Sequence, residues 1–375
     1  NTILGAKGTT PTSGAYYTGM KGVEAFGVQI IDSESVEFVT TNIINVEGGT
    51  GGTGTQYGGD AGPGAKATGL LIIGSESTSI EDLNVMNVTG GDGAPGPYNS
   101  PGDAGPAPGD MGQGVVIAAS TETHMENFNI TSITGGGGIH MTSQDARAVV
   151  ISNESVSTTL THGYIGTIAA PPCGADQGAG GHSKALVLQD VAQTYISGLI
   201  LMDIKGASAC PYTTAQPAAA VTISKASGTF MQHLTVHGIA PNSDGIRLTN
   251  AQEDPVLISN SIFSLIDGKP LTGVNEQAAG LVSVSYSLFY EFATEMDGVS
   301  FGSGILEKNP NFAGVTEGLG DVHLKPGSAA IDAGMPNSDF CGEPEPKGGA
   351  PNLGAYGNTE EATSKPGSSH VPCDD

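Results

Sequence analysis

The segment Thr68–Gly91 reads TGLLIIGSESTSIEDLNVMNVTGG and recurs along the chain. Moved back by 42 residues it aligns without a gap on Phe26–Gly49, and moved forward by 45 residues it aligns on Gln113–Gly136. Weaker copies cover Arg147–Ile168, Lys184–Gly206, Ala219–Ile239 and Asp244–Leu265. An internal repeat of this length is typical of solenoids, in which each copy forms one coil.

Apolar residues of the aligned copies fall into five columns. The columns are Val28, Leu70, Val115, Val149, Leu186, Val221 and Ile246; Ile30, Ile72, Ile117, Ile151, Leu188, Ile223 and Leu248; Phe38, Ile80, Met125, Ile196 and Met231; Ile43, Val85, Ile130, Ile165, Leu201, Val236 and Ile262; and Val46, Val88, Ile133, Ile168, Ile204, Ile239 and Leu265. The first two columns lie two residues apart, which is the period of a β-strand. Each copy is therefore predicted to form two or three short strands, separated by polar corners such as 32–35. Stacked copies bury an edge that no copy can bury alone, with parallel strands about 4.8 Å apart.

Two rival architectures fit the repeat less well. A β-sandwich needs antiparallel alternation and hairpin turns, which columns in the same phase do not indicate. A helical solenoid needs a period of 3.6 and good helix formers, whereas these copies are rich in Val, Ile, Thr, Ser and Asn. The sequence thus predicts an all-β solenoid.

The charge of the chain excludes some partners. The 38 acidic residues outnumber the 13 basic ones, and the formal net charge is −25. Binding to nucleic acid needs a basic surface, so it is not expected, and neither is docking on an anionic membrane. No apolar run reaches 18 residues, so no membrane span is predicted. The chain begins at Asn1 without Met, which predicts a mature chain from which a signal peptide has been removed.

The four cysteines predict two disulfides. Cys173 lies in the insert after the fourth copy and Cys210 in the insert after the fifth. Their positions relative to these copies differ by only two residues, so stacking brings the two cysteines to neighbouring coils. Cys341 and Cys373 bracket the C-terminal tail. The alternative is four free thiols, since the spacings match no zinc site. Disulfides would indicate an oxidising compartment.

The chain is predicted to have three parts. Residues 1–24 form an N-terminal cap, residues 25–308 the solenoid of about eight or more rungs, and residues 309–375 a C-terminal cap and tail. Inserts follow the first six copies at one point of the coil, so they emerge along one edge. The first two inserts, 50–66 and 92–112, are rich in Gly and Pro, which favours polyproline II segments or tight turns.

The C-terminal part carries the marks of a family. It contains NPNF at 309–312, DVHLKPGS at 321–328, AIDAG at 330–334 and NLGAYG at 352–357. This run resembles the tail of secreted bacterial right-handed parallel β-helix repeat proteins of the pectate-lyase-like superfamily, and the repeat columns agree. The resemblance implies a right-handed parallel β-helix and an extracytoplasmic location. It implies no single activity, because the superfamily includes lyases, hydrolases, esterases, epimerases and adhesins.

Candidate catalytic residues are few. Pectate lyases need calcium carboxylates and a basic residue that abstracts a proton, but the chain has no matching Arg-Pro pattern. Arg247 is interpreted as a solvent-facing strand residue between inward Ile246 and Leu248, and a catalytic base is the less favoured alternative. Asp244 lies in NSDGI, which is similar to an element of polygalacturonases, yet the paired aspartates that such hydrolysis needs are not found. Only Asp267 stands in a comparable place. The sequence therefore does not predict an enzyme.

Candidate binding residues lie mostly in the inserts. Asp60, Asp92, Asp103 and Asp110 are carboxylates of loops at one edge, and such oxygen ligands suit Ca²⁺; the alternative is solvated turn residues. Tyr57 and Tyr98 could stack on the sugar rings of a glycan, or pack the loops together. His233 and His237 are four residues apart but lack a third metal ligand.

The leading functional prediction is a structural β-solenoid outside the cell or on its surface, acting as a scaffold, an adhesin or a self-assembling filament or matrix subunit. Its partner would be another copy of the chain or a surface glycan. The alternative is a protein that binds or degrades polysaccharides, as a lyase or hydrolase does. A catalytic constellation or a basic groove would favour the alternative.

Overall fold

The chain forms a right-handed parallel β-helix. The computed structural model describes residues 2–4, 7–9, 20–53, 61–94, 107–138, 144–171, 181–207, 218–239, 243–249, 254–273, 282–294, 296, 298–316 and 319–364. Within these ranges the regular structure is almost entirely parallel strand, and successive coils stack on one another. Connections between parallel strands of one sheet are right-handed. The described part contains no helix that could cross a membrane.

The first strand of each coil contributes to an eight-stranded parallel sheet, called sheet 1. Its strands are β2 (Ala25–Ile31), β4 (Ala67–Ile73), β6 (Gly112–Ala118), β8 (Ala146–Val156), β10 (Ser183–Ala192), β12 (Ala219–Ser227), β15 (Asp244–Leu248) and β18 (Leu271–Thr272). Leu70 pairs with Val28 on one side and with Val115 on the other. This register confirms the predicted repeat offsets.

The rest of each coil contributes to a 14-stranded parallel sheet, called sheet 2. Its strands are β1 (Thr2–Leu4), β3 (Glu37–Glu47), β5 (Ser79–Thr89), β7 (His124–Thr134), β9 (Thr159–Ala169), β11 (Tyr195–Lys205), β13 (Phe230–Gln232), β14 (Thr235–Ile239), β16 (Val256–Ser259), β17 (Ile262–Ile266), β19 (Val282–Ser285), β20 (Leu288–Phe292), β21 (Val299–Phe301) and β22 (Leu306–Glu307). The predicted columns form one continuous core, in which Ile80, Ile130 and Leu201 are fully buried. In the first coil, Val28 and Phe38 are only partly buried.

The predicted alignment of the seventh copy is wrong by one residue at its end. Val236 pairs with Phe263 and Ile239 pairs with Ile266, whereas the sequence analysis placed Ile262 and Leu265 in these columns. Ile262 instead packs outward in a second apolar cluster. Leu265 is 42% exposed, because it occupies a corner with φ of 51°. A weak repeat with neighbouring apolar residues does not fix the register within one residue.

Residues with left-handed backbone conformation form the corners of each coil. One column of such residues comprises Thr40, Asp82, Asn127, His162 and Gly198, with φ between 48° and 66°. A second comprises Asn45, Asn87, Ser132, Thr167 and Asp203. Asn, Asp and Gly tolerate this conformation best, which explains why polar residues recur at the corners. The corners confirm the prediction that each copy contains several short strands.

The first and last residues of each glycine-rich insert form extended segments that pack on one another. We call each such segment a leg. We call the legs 20–24, 48–53, 61–66, 90–94, 107–111 and 135–138 the glycine wall. Gly48 and Gly51 donate to Thr89 and Asp92 of the next coil, at 2.9 Å each, whereas Gly49 and Gly52 donate to the leg 20–24, also at 2.9 Å. Donors three residues apart thus face the same neighbour, which is the period of a polyproline II helix.

A C-terminal cap, residues 309–364, covers part of the outward face of sheet 2. It contains the antiparallel pair β23 (Phe312–Thr316) and β24 (Leu319–Leu324). Its apolar residues, among them Val322, Ile331 and Leu353, pack on Met202 and Ile262 of the coils. The cap therefore buries side chains that the repeat pattern directs outward.

Candidate functional site

The structure describes only some of the residues that were predicted as sites. Asp60, Asp103, Tyr57, Tyr98, Cys173, Cys210 and Cys373 lie outside the described residues. Cys341 lies within them and is disulfide-bonded. The pairings Cys173–Cys210 and Cys341–Cys373 stay predictions.

Asp92 and Asp110 belong to the glycine wall. The Asp92 carboxylate accepts the backbone N–H of Gly137 at 2.7 Å. The Asp110 carboxylate accepts the N–H of Met111 at 2.7 Å and pairs with Lys21 at 3.2 Å. Among the described residues no group of three or more His, Cys, Asp or Glu side chains could hold a metal ion. The calcium site on all four insert aspartates stays a prediction.

A groove on the outward face of sheet 1 gathers positive charge. It crosses β8, β10, β12 and β15 and has a volume of about 410 Å³. We call it the cationic groove. The residues of its lining that matter here are Arg147, His182, Lys184, Thr222, Lys225 and Arg247. They include both arginines of the chain, and four of its 13 lysines and arginines.

Strand alternation points these cations outward. Arg147 lies between Ala146 and Ala148, which are fully buried. Arg247 lies between Ile246 and Leu248, which are also buried, as the sequence predicted. Because neighbouring side chains of a strand project to opposite faces, both guanidinium groups reach the groove.

Asp145 holds one half of the groove together. Its Oδ2 accepts from Arg147 Nη2 at 2.8 Å and from Lys184 Nζ at 3.0 Å, and its Oδ1 accepts the His182 N–H at 3.0 Å. Burial by itself raises the pKa of this carboxyl, but Lys184 and Arg147 outweigh it and bring the pKa to about 2. The carboxylate stays ionised and fixes the two cations side by side.

Asp244 fixes the other half. Its Oδ2 accepts from Arg247 Nε at 2.9 Å and from the Thr272 hydroxyl at 3.1 Å. Its Oδ1 accepts the backbone N–H of Lys269 at 3.0 Å. The carboxylate of Asp244 therefore positions the Arg247 guanidinium group.

The aspartates lie deeper than the cations that they hold. The side chains of Asp145 and Asp244 are 14% and 11% exposed, against 25% for Arg147 and 27% for Arg247. Lys225, paired with Asp190 at 3.3 Å, is exposed at the rim. Thr222 is buried in the lining, and its hydroxyl has no hydrogen-bond partner among the described residues. The groove thus presents four cations held by the carboxylates of Asp145, Asp190 and Asp244, and the Thr222 hydroxyl lies buried beneath its surface.

The sequence analysis did not find this groove. Only Arg247 is among the candidates predicted from the sequence. The register connects it to Arg147: Arg147 pairs with Lys184, and Arg247 follows Val187 and Thr222 in the neighbouring column. The signal was available, because both arginines fall at outward positions of aligned copies.

The histidines of the seventh coil are buried. Leu234 and Val236 point inward as predicted, yet His233 and His237 are only 4% and 5% exposed, because the cap covers them. Burial lowers the pKa of each imidazole to about 4. His233 Nε2 lies 3.3 Å from Asn260 Nδ2, and His237 Nδ1 lies 2.8 Å from Ser264 Oγ. These contacts tie the imidazoles into the packing under the cap.

A ladder of asparagine amides connects three coils. Asn84 donates to Asn42 at 3.0 Å, and Asn129 donates to Asn84 at 2.9 Å. The Asn84 amide thus donates to one coil and accepts from the next, so the ladder stabilises the stacking of coils.

Comparisons with known proteins return structural likeness only. No protein-family model matches the sequence, and no curated protein matches it. Among solved structures the chain is similar to pectate lyase Pel9A, at 13% identity over 95% of this chain and 87% of that chain, with a TM-score of 0.31. It is also similar to a tailspike protein double mutant of E. coli bacteriophage HK620, at 10% identity over 80% and 72%, with a TM-score of 0.17. The fold assignment rests on the strand registers given above.

Proposed function

We propose that the protein binds an acidic polysaccharide, in which sugar carboxylates recur, in the cationic groove. The observation that carries the proposal is that both arginines and two lysines meet on one face of a chain whose net charge is −25. Arginine pairs with a carboxylate through two parallel hydrogen bonds, and lysine adds a point charge. The local cluster of cations offsets, within this groove, the repulsion that a net charge of −25 exerts on an anionic ligand.

The rest of the groove suits a sugar. Gln189, Ser224 and Thr249 line it beside Thr222, and their amide and hydroxyl groups can exchange hydrogen bonds with sugar hydroxyls. The groove crosses four coils, so it can take several units of a polymer in a row. An extended ligand across stacked strands would contact both aspartate-held cation groups at once.

The two arginines of the groove suit binding of the ligand better than its cleavage. Elimination from a uronate needs a base that removes a proton from the sugar ring. Arginine is not deprotonated in proteins, and both arginines here are ion-paired with aspartates. We therefore assign Arg147 and Arg247 to holding the ligand.

The proposal includes a location outside the cell, where acidic polysaccharides are met. The disulfide bond of Cys341 suits an oxidising compartment. The scaffold, adhesin and filament roles stay predictions from the sequence.

Titration calorimetry with a galacturonate hexamer, compared with a neutral galactose hexamer, tests the proposal. We expect the acidic hexamer to bind and its affinity to fall steeply with salt. Arg147→Ala and Arg247→Ala should each weaken binding about 10-fold or more, the loss of a charge-assisted contact of about 1.5–3 kcal/mol. Arg247→Lys should be intermediate, because it keeps the charge without the planar fork.

Lys7 provides the control. It pairs with Glu47 at 2.9 Å, is 72% exposed and does not line the groove. Lys7→Ala removes the same charge and should leave the affinity unchanged. Equal binding of the neutral hexamer, or equal losses in Lys7→Ala and Arg247→Ala, would contradict the proposal.

A further inference from the structure

A second cleft lies on sheet 2, where the C-terminal cap stops covering it. We call it the cap cleft. Its volume is about 410 Å³, with β7, β9 and β11 on one side and residues 355–361 of the cap on the other. Its floor is the corner column of left-handed residues at Asn127, His162 and Gly198. One and two coils further on, the same column holds His233 and Asn260, which the cap buries. The cleft is thus the step at the edge of the cap.

The wall that the cap supplies is fixed to the coils. The N–H of Gly354 donates to the Asn260 carbonyl at 2.8 Å, and the N–H of Ala355 donates to the Thr235 hydroxyl at 2.9 Å. The N–H of Met335 donates to Asn260 Oδ1 at 2.8 Å. Three hydrogen bonds from backbone to partly or fully buried acceptors hold the wall in place, so the cleft is formed before any ligand arrives.

Glycine keeps the floor open. A Cβ built on Gly198 would lie 3.0 Å from the His162 ring and 3.5 Å from the Ala355 carbonyl oxygen, between floor and wall. The φ of 66° also favours glycine at this position. A side chain here would fill the space between coil and cap.

The lining is half apolar and half hydrogen-bonding. The Tyr356 ring stacks on His323 with centroids 3.8 Å apart, which holds it rigid, and Ile200 and Tyr164 add apolar surface. Around them stand the Asn127 amide, the Thr359 hydroxyl and the carboxylates of 360 and 361. No lysine or arginine of the described residues lines this cleft.

Positioned acceptors complete the floor. Glu126 lies next to Asn127, and its two oxygens lie 3.2 Å from His162 Nδ1 and 3.4 Å from His124 Nε2. The imidazole of His162, which lines the cleft, is therefore held in one orientation by a carboxylate.

We infer that the cap cleft binds an uncharged sugar unit. A pyranose ring presents apolar C–H faces and a rim of hydroxyls, which matches an aromatic surface surrounded by amide, hydroxyl and carboxylate groups. Carboxylates without a lysine or arginine beside them repel an acidic sugar, so this ligand differs from that of the cationic groove. The inference rests on the geometry of this cleft and does not depend on the proposed function.

Binding of neutral pentasaccharides of glucose, galactose and mannose, each followed by titration calorimetry at up to about 10 mM sugar, tests the inference. We expect at least one to bind. Tyr356→Ala should weaken its affinity 10-fold or more, and Tyr356→Phe should retain most of it. Arg247→Ala, which alters the other groove, should have no effect.

A second variant separates binding from folding of the cap. Asn127 is exposed and has φ of 51°, so Asn127→Gly removes the amide while keeping the backbone unstrained. This variant should fold normally and bind the sugar at least 3-fold more weakly. Absence of binding by all three pentasaccharides would overturn the inference, and so would affinities that neither Tyr356→Ala nor Asn127→Gly changes.

Discussion

The glycine wall makes a sharp prediction at Gly136. A Cβ added at this residue would lie 2.1 Å from the Gly91 carbonyl oxygen and 2.9 Å from the Asp110 nitrogen. These two atoms are the acceptor and the donor of one hydrogen bond between the legs. The N–H of Asp110 donates to Gly91 at 3.0 Å, and the N–H of Gly136 donates to Asp110 at 2.7 Å. Gly136→Ala must therefore push two legs of the wall apart by about 1 Å.

The magnitude follows from three contributions. Overpacking costs about 1–3 kcal/mol, and the loss of two hydrogen bonds costs about 1 kcal/mol each. Alanine also restricts the unfolded chain, which offsets about 0.4–1 kcal/mol. The net loss is about 3 kcal/mol, which corresponds to roughly a 100-fold increase in the opening of the wall.

Gly137 is a matched control one residue away. There the nearest atom to an added Cβ is Asp92 Oδ1 at 3.3 Å, at the end of a side chain that can move. Gly137→Ala should be neutral or stabilise by up to about 1 kcal/mol. Hydrogen exchange of peptides covering 90–94 and 107–111, measured by mass spectrometry, should be about 100-fold faster in Gly136→Ala only. Equal exchange in the two variants would refute the packing of the wall.

Three further predictions concern the core, the buried histidines and the disulfide bonds. Ile130→Asp buries an unpaired charge at a fully buried position and should lower the free energy of unfolding by more than about 4 kcal/mol. Thr131→Asp, at a half-buried position, should lower it by under about 1 kcal/mol. Equal melting temperatures of the two variants would contradict the core assignment. His233 and His237 have pKa values lowered by burial to about 4, so the unfolded chain binds protons first, and stability should fall as the pH drops from about 6.5 toward 4. At pH 5 the loss is about 2 kcal/mol per histidine, and His233→Asn should flatten the dependence of the melting temperature on pH. Peptide mapping without reduction should find Cys173 joined to Cys210 and Cys341 to Cys373, and other pairs would contradict the predicted stacking of inserts.

The repeat made most of the fold predictable. A period of two places apolar residues on one face, and copies aligned without gaps carry that phase from coil to coil, as at Leu70 and Ile130. The predicted register is wrong at Ile262 and Leu265, where neighbouring apolar residues fit two registers. The outward histidines could not be predicted as buried, because the cap that covers His233 has no repeat to align.

The candidate sites were less accessible to sequence reasoning. Arg147 and Arg247 are separated by two intervening strands, and an alignment of columns does not show that the surface between them forms a groove. The cap cleft depends on where a non-repetitive segment ends over Gly198. The net charge of −25 gives no sign of the cationic groove, because it averages over a surface on which a local cluster can be opposite in sign.

The most direct test of the central claim is a crystal structure of the protein soaked with a galacturonate hexamer. The account predicts the hexamer along the cationic groove, with sugar carboxylates within about 3 Å of the guanidinium groups of Arg147 and Arg247. A hexamer bound elsewhere on the chain, with both arginines contacting only Asp145 and Asp244, would contradict it.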